Sequence, residues 1–282
     1  MKSVDAESLR AWIGRTKQDT DVITSRLVQA YRATLAPCVS PTDEVAPGLH
    51  WCLAPPIESM HDLGADGHPN KGSFLPPVPL PRRMWAGGEI EFRWPLHVGD
   101  VVTRVSTISD IQVKEGRTGV LCFVSVEHAY RCRGELAIRE RQDIVYRDEP
   151  QQAAAPVTVV PLTEARRQSD IELTLETPQA LLFRYSALTF NAHRIHYDLP
   201  YATEIEGYAG LVVHGPLQAS FLLNLATLHK GRVPRHFSYR GQVPLLAGQG
   251  VTVAGKESGD GAFECWTQGT DLQLNMTARA TW

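Results

Sequence analysis

His214–Lys230, HGPLQASFLLNLATLHK, places Pro216 where a first helical turn accepts proline, because the N–H that proline lacks would be unpaired there anyway. Gly231 sits where a helix closes on a left-handed residue, and Pro234 prevents continuation. Leu217, Phe221, Leu222, Leu223, Leu225 and Leu228 surround the axis more than they stripe it. A helix apolar on most sides must be buried on most sides. A curved antiparallel sheet wrapped round one central helix meets that demand, so the expected class is α+β.

The flanking sequence supplies the sheet. Downstream, Phe237–Val243, Val251–Ser258, Ala262–Gln268 and Gln273–Thr281 read as strands. Upstream, Gln179–Ser186 is a short polar-apolar lead into a His-rich loop. The first half repeats the order. Val22–Leu35 reads as a helix with Val22, Leu27, Val28, Tyr31 and Leu35 on one face and Asp21 or Thr24 as cap. Ala54 to Arg83 is proline-rich and predicts a long ordered loop or lid. Ile90–Trp94, Val101–Ser109, Val120–Tyr130 and Leu136–Tyr146 then alternate as a meander, with turns at Pro95–Asp100 and Lys114–Arg117. Arg93-x-Pro95-Leu96-x-x-Gly99 and Arg240-x-x-x-Pro244-Leu245-x-x-Gly248 correspond loosely, which suggests an internal duplication. Glu149–Pro161, EPQQAAAPVTVVP, has neither helical nor strand period and reads as a linker. The expected organisation is residues 1–148, a linker at 149–161, and residues 162–282.

Composition narrows the function. Of 282 residues, 43% are hydrophobic and 21% charged, as a core-forming protein requires. Against 31 acidic residues stand 28 Lys and Arg, a balance that implies no general affinity for nucleic acid or an anionic membrane. No apolar run approaches the roughly 18 residues of a membrane span. Met1 to Thr20 is broken by Asp5, Glu7, Arg10, Arg15, Lys17 and Asp19, unlike a secretion signal, and its acidic residues argue against a transit peptide. Cys38, Cys52, Cys122, Cys132 and Cys265 are odd in number and show no C-x-x-C spacing, which argues against both a disulfide framework and a zinc knuckle. A reduced, cytoplasmic protein is expected.

The densest polar cluster is Phe183–Tyr208, FRYSALTFNAHRIHYDLPYATEIEGY, with Asn191, His193, Arg194, His196 and Asp198 close together. Unpaired buried polar groups cost about 1–3 kcal/mol each, so such a cluster within apolar sequence calls for a role. Arg194-Ile195-His196-Tyr197-Asp198-Leu199-Pro200-Tyr201-Ala202 resembles the end of the (R)-specific enoyl-CoA hydratase signature, D-x-N-P-[LIV]-H-x-D-x-x-x-A. Val212-Val213-His214-Gly215-x-Leu217-x-Ala219-Ser220 resembles that family's next block, and Phe237 to Val251 its following strand pair. The resemblance to a MaoC-like hydratase spans roughly Phe183 to Trp282. Thr189–Asp198 is similar more narrowly to the two-hot-dog hydratases of mesaconyl-C4-CoA or itaconyl-CoA, and to the type 2 3-hydroxyacyl-thioester dehydratases. Pro79–Gly88 resembles the same subfamily, without a catalytic motif.

The resemblance implies a double hot-dog, each half a curved antiparallel sheet around a central helix. It implies water addition across a C=C conjugated to a thioester, or the reverse, on an acyl-CoA substrate and without a cofactor. His196 would be the general acid/base and Gly215 the backbone donor to the thioester oxygen. A helix start suits that second task, because its free N–H groups favour negative charge. The family Asp falls on Asn191, the family Asn on His193 and the family Pro on Arg194. An amide accepts no proton at neutral pH, so Asn191 and His193 are expected to position the water, with His193 able to share the work of the base. Asp198 would cap a helix or fix a histidine tautomer. His214 would cap the buried helix or touch substrate. Arg82, Arg83, Arg184 and Arg194 are candidates for CoA phosphates or a distal carboxylate, against solvated or structural ion pairs. A metal held by Asn191, His193, His196 and Asp198 is the weaker reading, and Gly87-Gly88 is only a turn signal. Thr24–Leu35 takes the early position of the His-rich loop yet lacks histidine, so the first half is expected to bind acyl or CoA groups and the second to carry the chemistry. The leading function is hydration of itaconyl-CoA or mesaconyl-C4-CoA. Alternatives are a 3-hydroxyacyl-thioester dehydratase of fatty-acid metabolism and a non-catalytic acyl-CoA-binding subunit, with a homodimer possible.

Overall fold

A computed structural model describes residues 4–39, 45–116, 119–148 and 167–282. The expected linker at 149–161 and the boundary at 162 lie outside the described residues. Ten strands form one antiparallel sheet: β1 Thr16–Val22, β2 Arg82–Phe92, β3 Val101–Gly116, β4 Gly119–Cys132, β5 Glu135–Arg147, β6 Ile171–Glu176, β7 His236–Gly241, β8 Gly250–Glu257, β9 Phe263–Gly269 and β10 Leu274–Thr281. Their order is β1-β3-β4-β5-β2-β7-β10-β9-β8-β6. Read from each edge to the middle, β1-β3-β4-β5-β2 and β6-β8-β9-β10-β7 are the same arrangement. The halves join where Gly87–Glu91 pairs with Arg240–His236. The repeated Pro-Leu-x-x-Gly pieces occupy equivalent turns. Gly99 and Gly248 both adopt left-handed φ, and each donates its N–H to the residue after the edge strand, Ile23 or Thr177, at 2.8 Å.

The helices are α1 Ala6–Arg10, α2 Ser25–Leu35, α3 Gln179–Thr189 and α4 Gly215–Lys230. Every residue of α4 from Leu217 to Thr227 is buried, with Pro216 in the first turn and Gly231 left-handed at the end. It lies against β8, β9 and β10. Its polar residues find partners inside: Gln218 accepts from Thr267 at 2.9 Å, and Asn224 donates to the Pro47 carbonyl. Each large apolar side chain sealed there stabilises the fold by about 1.5–3 kcal/mol.

The first half is filled differently. Thr24 caps α2 by accepting the Leu27 N–H, and α2 packs on α3, so it is the counterpart of that helix and not of the His-rich loop. Among the described residues no second long helix fills its sheet. The 3₁₀ turn Leu49–Cys52 covers Tyr130 and Ile138, while Phe74, Leu75, Val78, Leu80 and Leu9 cover Cys122, Val124 and Val126. The irregular residues 53–81 thus form part of the core.

Several boundaries move. β2 begins at Arg82, so Arg82 and Arg83 belong to a strand and not to the loop, and Gly87-Gly88 lies within that strand instead of turning. β3 and β4 run past the expected turn to Gly116 and from Gly119. Gln179–Thr189 is a complete helix. β1, TKQDTDV, was unread because an edge strand exposed along one side carries almost no apolar alternation.

Candidate active site

The His-rich loop is folded by its own polar side chains. Phe190, left-handed at φ 48°, ends α3 and turns the chain back. Asn191 Oδ1 accepts the His193 N–H at 2.9 Å. Asp198 accepts the Tyr201 N–H at the head of the π-helical turn Tyr201–Ile205 and receives Arg194 at 2.9 and 2.7 Å. The Val212 N–H then bonds the Ile195 carbonyl, stitching the loop to the segment that leads into α4.

This brings three histidines to the head of α4. His196 Nδ1 lies 2.6 Å from the Val212 carbonyl. A carbonyl only accepts, so Nδ1 carries the hydrogen and Nε2 keeps the lone pair. The His196 ring stacks on His214 at 3.5 Å, and His214 immediately precedes Gly215. Burial, with His193 beside it, lowers the pKa of His196 to about 3, so the ring is neutral and proton-accepting at pH 7. His214 is likewise held well below the usual range, by burial and then by the other two imidazoles. Its Nε2 meets Ser186 Oγ at 2.8 Å. His193 stands edge-on to His196 at 5.4 Å, with Nε2 3.2 Å from Glu206 Oε1. Glu206 also receives Arg82 Nε at 3.4 Å. Burial raises the Glu206 carboxyl, but hydrogen bonding and charge from His193 and Arg82 outweigh it, leaving the group ionised.

The first half completes the site. His68, in the loop before β2, lies over His193 with ring centroids 4.1 Å apart and bonds Asp66 at 3.0 Å. That loop docks closely: the Arg194 N–H reaches the Asp66 carbonyl, and a Cβ on Gly67, whose φ is +86°, would fall 1.9 Å from the Ala192 oxygen. Trp85 of β2 covers Gly215, where a Cβ would meet its ring at 2.8 Å. Trp85 is stacked on Tyr239 at 4.4 Å and stands edge-on to Trp51. The first turn of α4 therefore presents its free N–H groups beside His196 and under an indole wall.

Several expectations are revised. Arg184 is exposed on α3 and stays out of the cluster, because about 200° of helical rotation separates it from Ser186 and Leu182. Arg194 is consumed by Asp198, the Ala65 carbonyl and the face of Tyr201. Asp198 caps a turn and pairs with Arg194, so neither the tautomer role nor the four-residue metal set uses it. His214 does not cap α4 with its side chain; it stacks on His196. Arg82 is buried against Glu206 instead of being solvated. Asn191 Oδ1 already accepts one backbone N–H, so its free NH₂ is the group best able to reach a ligand. Glu206 and His68 were missed. Glu204 and Glu206 look alike in sequence, and only the π-helical turn buries the second. His68 meets His193 across the two halves. Asp66, His68 and His193 have ligand atoms within 4.8 Å of one another, a spacing a divalent cation could bridge, though each already has a hydrogen-bonding partner. A shallow depression elsewhere on the sheet, among the interleaved charges of Arg141, Asp143, Arg240 and Glu264, has no imidazole in its lining.

A ten-stranded sheet of two like halves, with imidazoles gathered at the head of a sheathed helix, defines a double hot-dog hydratase/dehydratase of the MaoC-like class. Residues 48–247 match the family model of type 2 hydroxyacyl-thioester dehydratases, and the chain belongs to that family. It is 45% identical over 273 residues to the mesaconyl-C(4)-CoA hydratase of Chloroflexus aurantiacus, covering 95% of each chain. It is 26% identical over 253 residues to the mitochondrial type 2 hydroxyacyl-thioester dehydratase of Schizosaccharomyces pombe, covering 80% of this chain and 82% of that one. A solved MaoC-like dehydratase superposes with a TM-score of 0.71 at 14% identity, covering 97% of this chain and 99% of that one, which shows the fold. No helix among the described residues is long and apolar enough to cross a membrane.

Proposed function

We propose that the protein hydrates mesaconyl-C4-CoA reversibly, with His196 as the general base. The observation that carries this reading is the His196 ring, neutral and fixed between the Val212 carbonyl and His214 beside the first turn of α4. Nε2 takes a proton from water as the oxygen bonds to the β-carbon of the enoyl thioester. The π electrons move to the thioester oxygen, to which the Gly215 N–H donates. The imidazolium then returns its proton to the α-carbon, so one water is added and the base is restored. A base with so low a pKa is weak when the site is empty; the enolate forming beside it stabilises the imidazolium as the proton arrives. His193, held by Glu206, is placed to orient the water together with the Asn191 amide. Within this reading, residues 1–148 supply the wall and the His68 loop, and residues 162–282 supply the base and the oxyanion donor. The sequence similarity to the Chloroflexus hydratase favours the dicarboxylic acyl group; itaconyl-CoA, of the same class, is the near alternative. The match to hydroxyacyl-thioester dehydratases favours the reverse reaction on monocarboxylic chains as the second reading. A reading as a non-catalytic subunit rested on Asn191, and His196 does not depend on it. Cytoplasmic location and a homodimer belong to the same proposal; fractionation of cells and sedimentation of the pure protein test them.

Loss of enoyl-thioester absorbance, followed across chain lengths and with dicarboxylic substrates, tests the reaction. Fast hydration of mesaconyl-C4-CoA supports the proposal. Turnover confined to monocarboxylic substrates shifts it to the second reading.

A further inference from the structure

Trp85 and Arg83 are two apart on β2, before its irregularity at Trp85/Gly87, so their side chains leave the same face of the strand, about 7 Å apart. Trp85 rests on Gly215, the donor to the thioester oxygen in the reading above. Arg83 is therefore one short acyl length from that donor, on the side of the sheet that faces α4. Its cross-strand neighbour is Tyr146 of β5, which is fully buried; the Arg83 guanidinium is the polar group its hydroxyl faces, and Arg83 offsets part of the rise that burial gives the phenol's pKa. Arg83 is half-buried; among the described residues no carboxylate lies within ion-pair distance of it, and Asp66, bonded to His68, feels its charge from farther off. Arg82 is spent on Glu206, Arg194 on Asp198, and Arg184 faces solvent. Arg83 also borders the imidazoles: after burial, its charge is the next largest influence holding His68 below the usual range. Lys71 lies over the Tyr146 ring at 5.6 Å, its ammonium donating to the Val78 and Leu80 carbonyls. A planar guanidinium and a phenol hydroxyl side by side, cationic and partly dehydrated, match a carboxylate.

We infer that Arg83 and Tyr146 form the subsite for a carboxylate on the β-carbon of the acyl group, and so set the preference for dicarboxylic thioesters. This rests on the reading of His196 and Gly215 as the reacting end. The carboxylate is gripped on the side of the β-carbon away from the thioester, which leaves that carbon open to the water at His196. A hydroxyacyl chain ending in methyl would leave the guanidinium without an anion, a penalty that selects against it.

Two saturated thioesters that cannot react read the subsite without relying on turnover of mesaconyl-C4-CoA. Succinyl-CoA carries a carboxylate where butyryl-CoA carries a methyl. Each is used to inhibit hydration of (E)-2-butenoyl-CoA, and the ratio of the two inhibition constants is measured. The wild type is expected to favour succinyl-CoA, and Arg83→Gln to lower that preference about 10- to 100-fold. Tyr146→Phe should lower it less, and Arg83→Lys should restore part of it. A wild type with no preference overturns the subsite, as does an Arg83→Gln variant that keeps the preference or weakens both inhibitors alike. Preference for succinyl-CoA in an enzyme that leaves mesaconyl-C4-CoA untouched keeps the subsite and rejects the substrate reading instead. Should Arg83→Gln fail to fold, the Tyr146→Phe ratio decides alone, an unchanged value overturning the proposal.

Discussion

The two halves of the sheet share a strand order and differ in what they enclose. In the second half α4 fills the sheet, and its head leaves N–H groups facing the imidazoles of His193, His196 and His214. In the first half a 3₁₀ turn and a long irregular segment take that place. The first half also holds buried polar groups, and the largest set of them closes on one carboxylate. Glu140, fully buried, accepts Trp51 Nε1 at 2.6 Å, Gln142 Nε2 at 2.9 Å and the hydroxyls of Tyr130 and Tyr239 at 3.3 Å. His128 is spent on Ser106. The contrast shows what separates a structural polar cluster from a reactive one. In the cluster proposed to react, one ring nitrogen of His196 bonds the backbone and the other keeps its lone pair. The first half serves the second by reach: giving up a helix frees the segment that carries His68 to His193 and leads Trp85 to Gly215.

The harshest way to break this comparison is to express residues 162–282 alone. β7 then loses its partner β2, and the site loses Trp85 and His68, so hydration should fall below detection; activity near that of the full chain would refute the shared site. His196→Ala should lower kcat by about 10²- to 10⁴-fold while far-ultraviolet circular dichroism stays native. Turnover close to wild type in that variant leaves His196 without the role assigned to it. Gly67→Ala forces the loop off the Ala192 carbonyl and should cost about 10- to 100-fold in kcat/KM, since misplacement is that expensive, with Tm lowered as well by the strained left-handed residue. An unaltered kcat/KM would mean that the His68 loop is ornamental.

On the structural side, Glu140→Ala strands several buried donors and should cost about 3 kcal/mol in urea unfolding. Glu140→Gln keeps an acceptor for Trp51 and should cost far less. Equal losses from both variants would place the weight on charge and not on hydrogen bonding. The mildest effect is the pH dependence. Burial first, then nearby charge, lowers His50, His128 and His196 from 6.5 to about 3. Between those values the unfolded chain binds protons that the folded one refuses, so stability rises with pH there. Tm should drift down as pH falls from about 6.5 toward 3, and His128→Gln should make the slope shallower. A flat profile would show these imidazoles to be better solvated than their burial implies.

Much of this was legible in residues alone. The all-round apolar surface of α4 forced a sheath around it, and the Pro-Leu-x-x-Gly repeat marked equivalent turns. His196 and Gly215 could be singled out as candidates because they belong to local blocks whose spacing survives in a string of letters. The alternatives for Arg184 and Arg194 stayed open because a guanidinium looks the same whether it faces solvent, a carboxylate or a substrate. β1 escaped because an edge strand needs few apolar residues. Glu206 escaped because a π-helical turn breaks the 3.6-residue period by which its burial could have been inferred.

The sequence by itself determined the sheathed helix, the repeated turn and the motif that carries the imidazole, since each follows from local periodicity, turn chemistry or a short block of residues. Tertiary structure alone decided that Glu206, itself bonded by Arg82, holds His193, that His68 crosses from the other half, and that Arg83 stands beside Tyr146. Those pairings join residues far apart along the chain, and only the closure of β2 against β5 and β7 brings them within hydrogen-bonding reach.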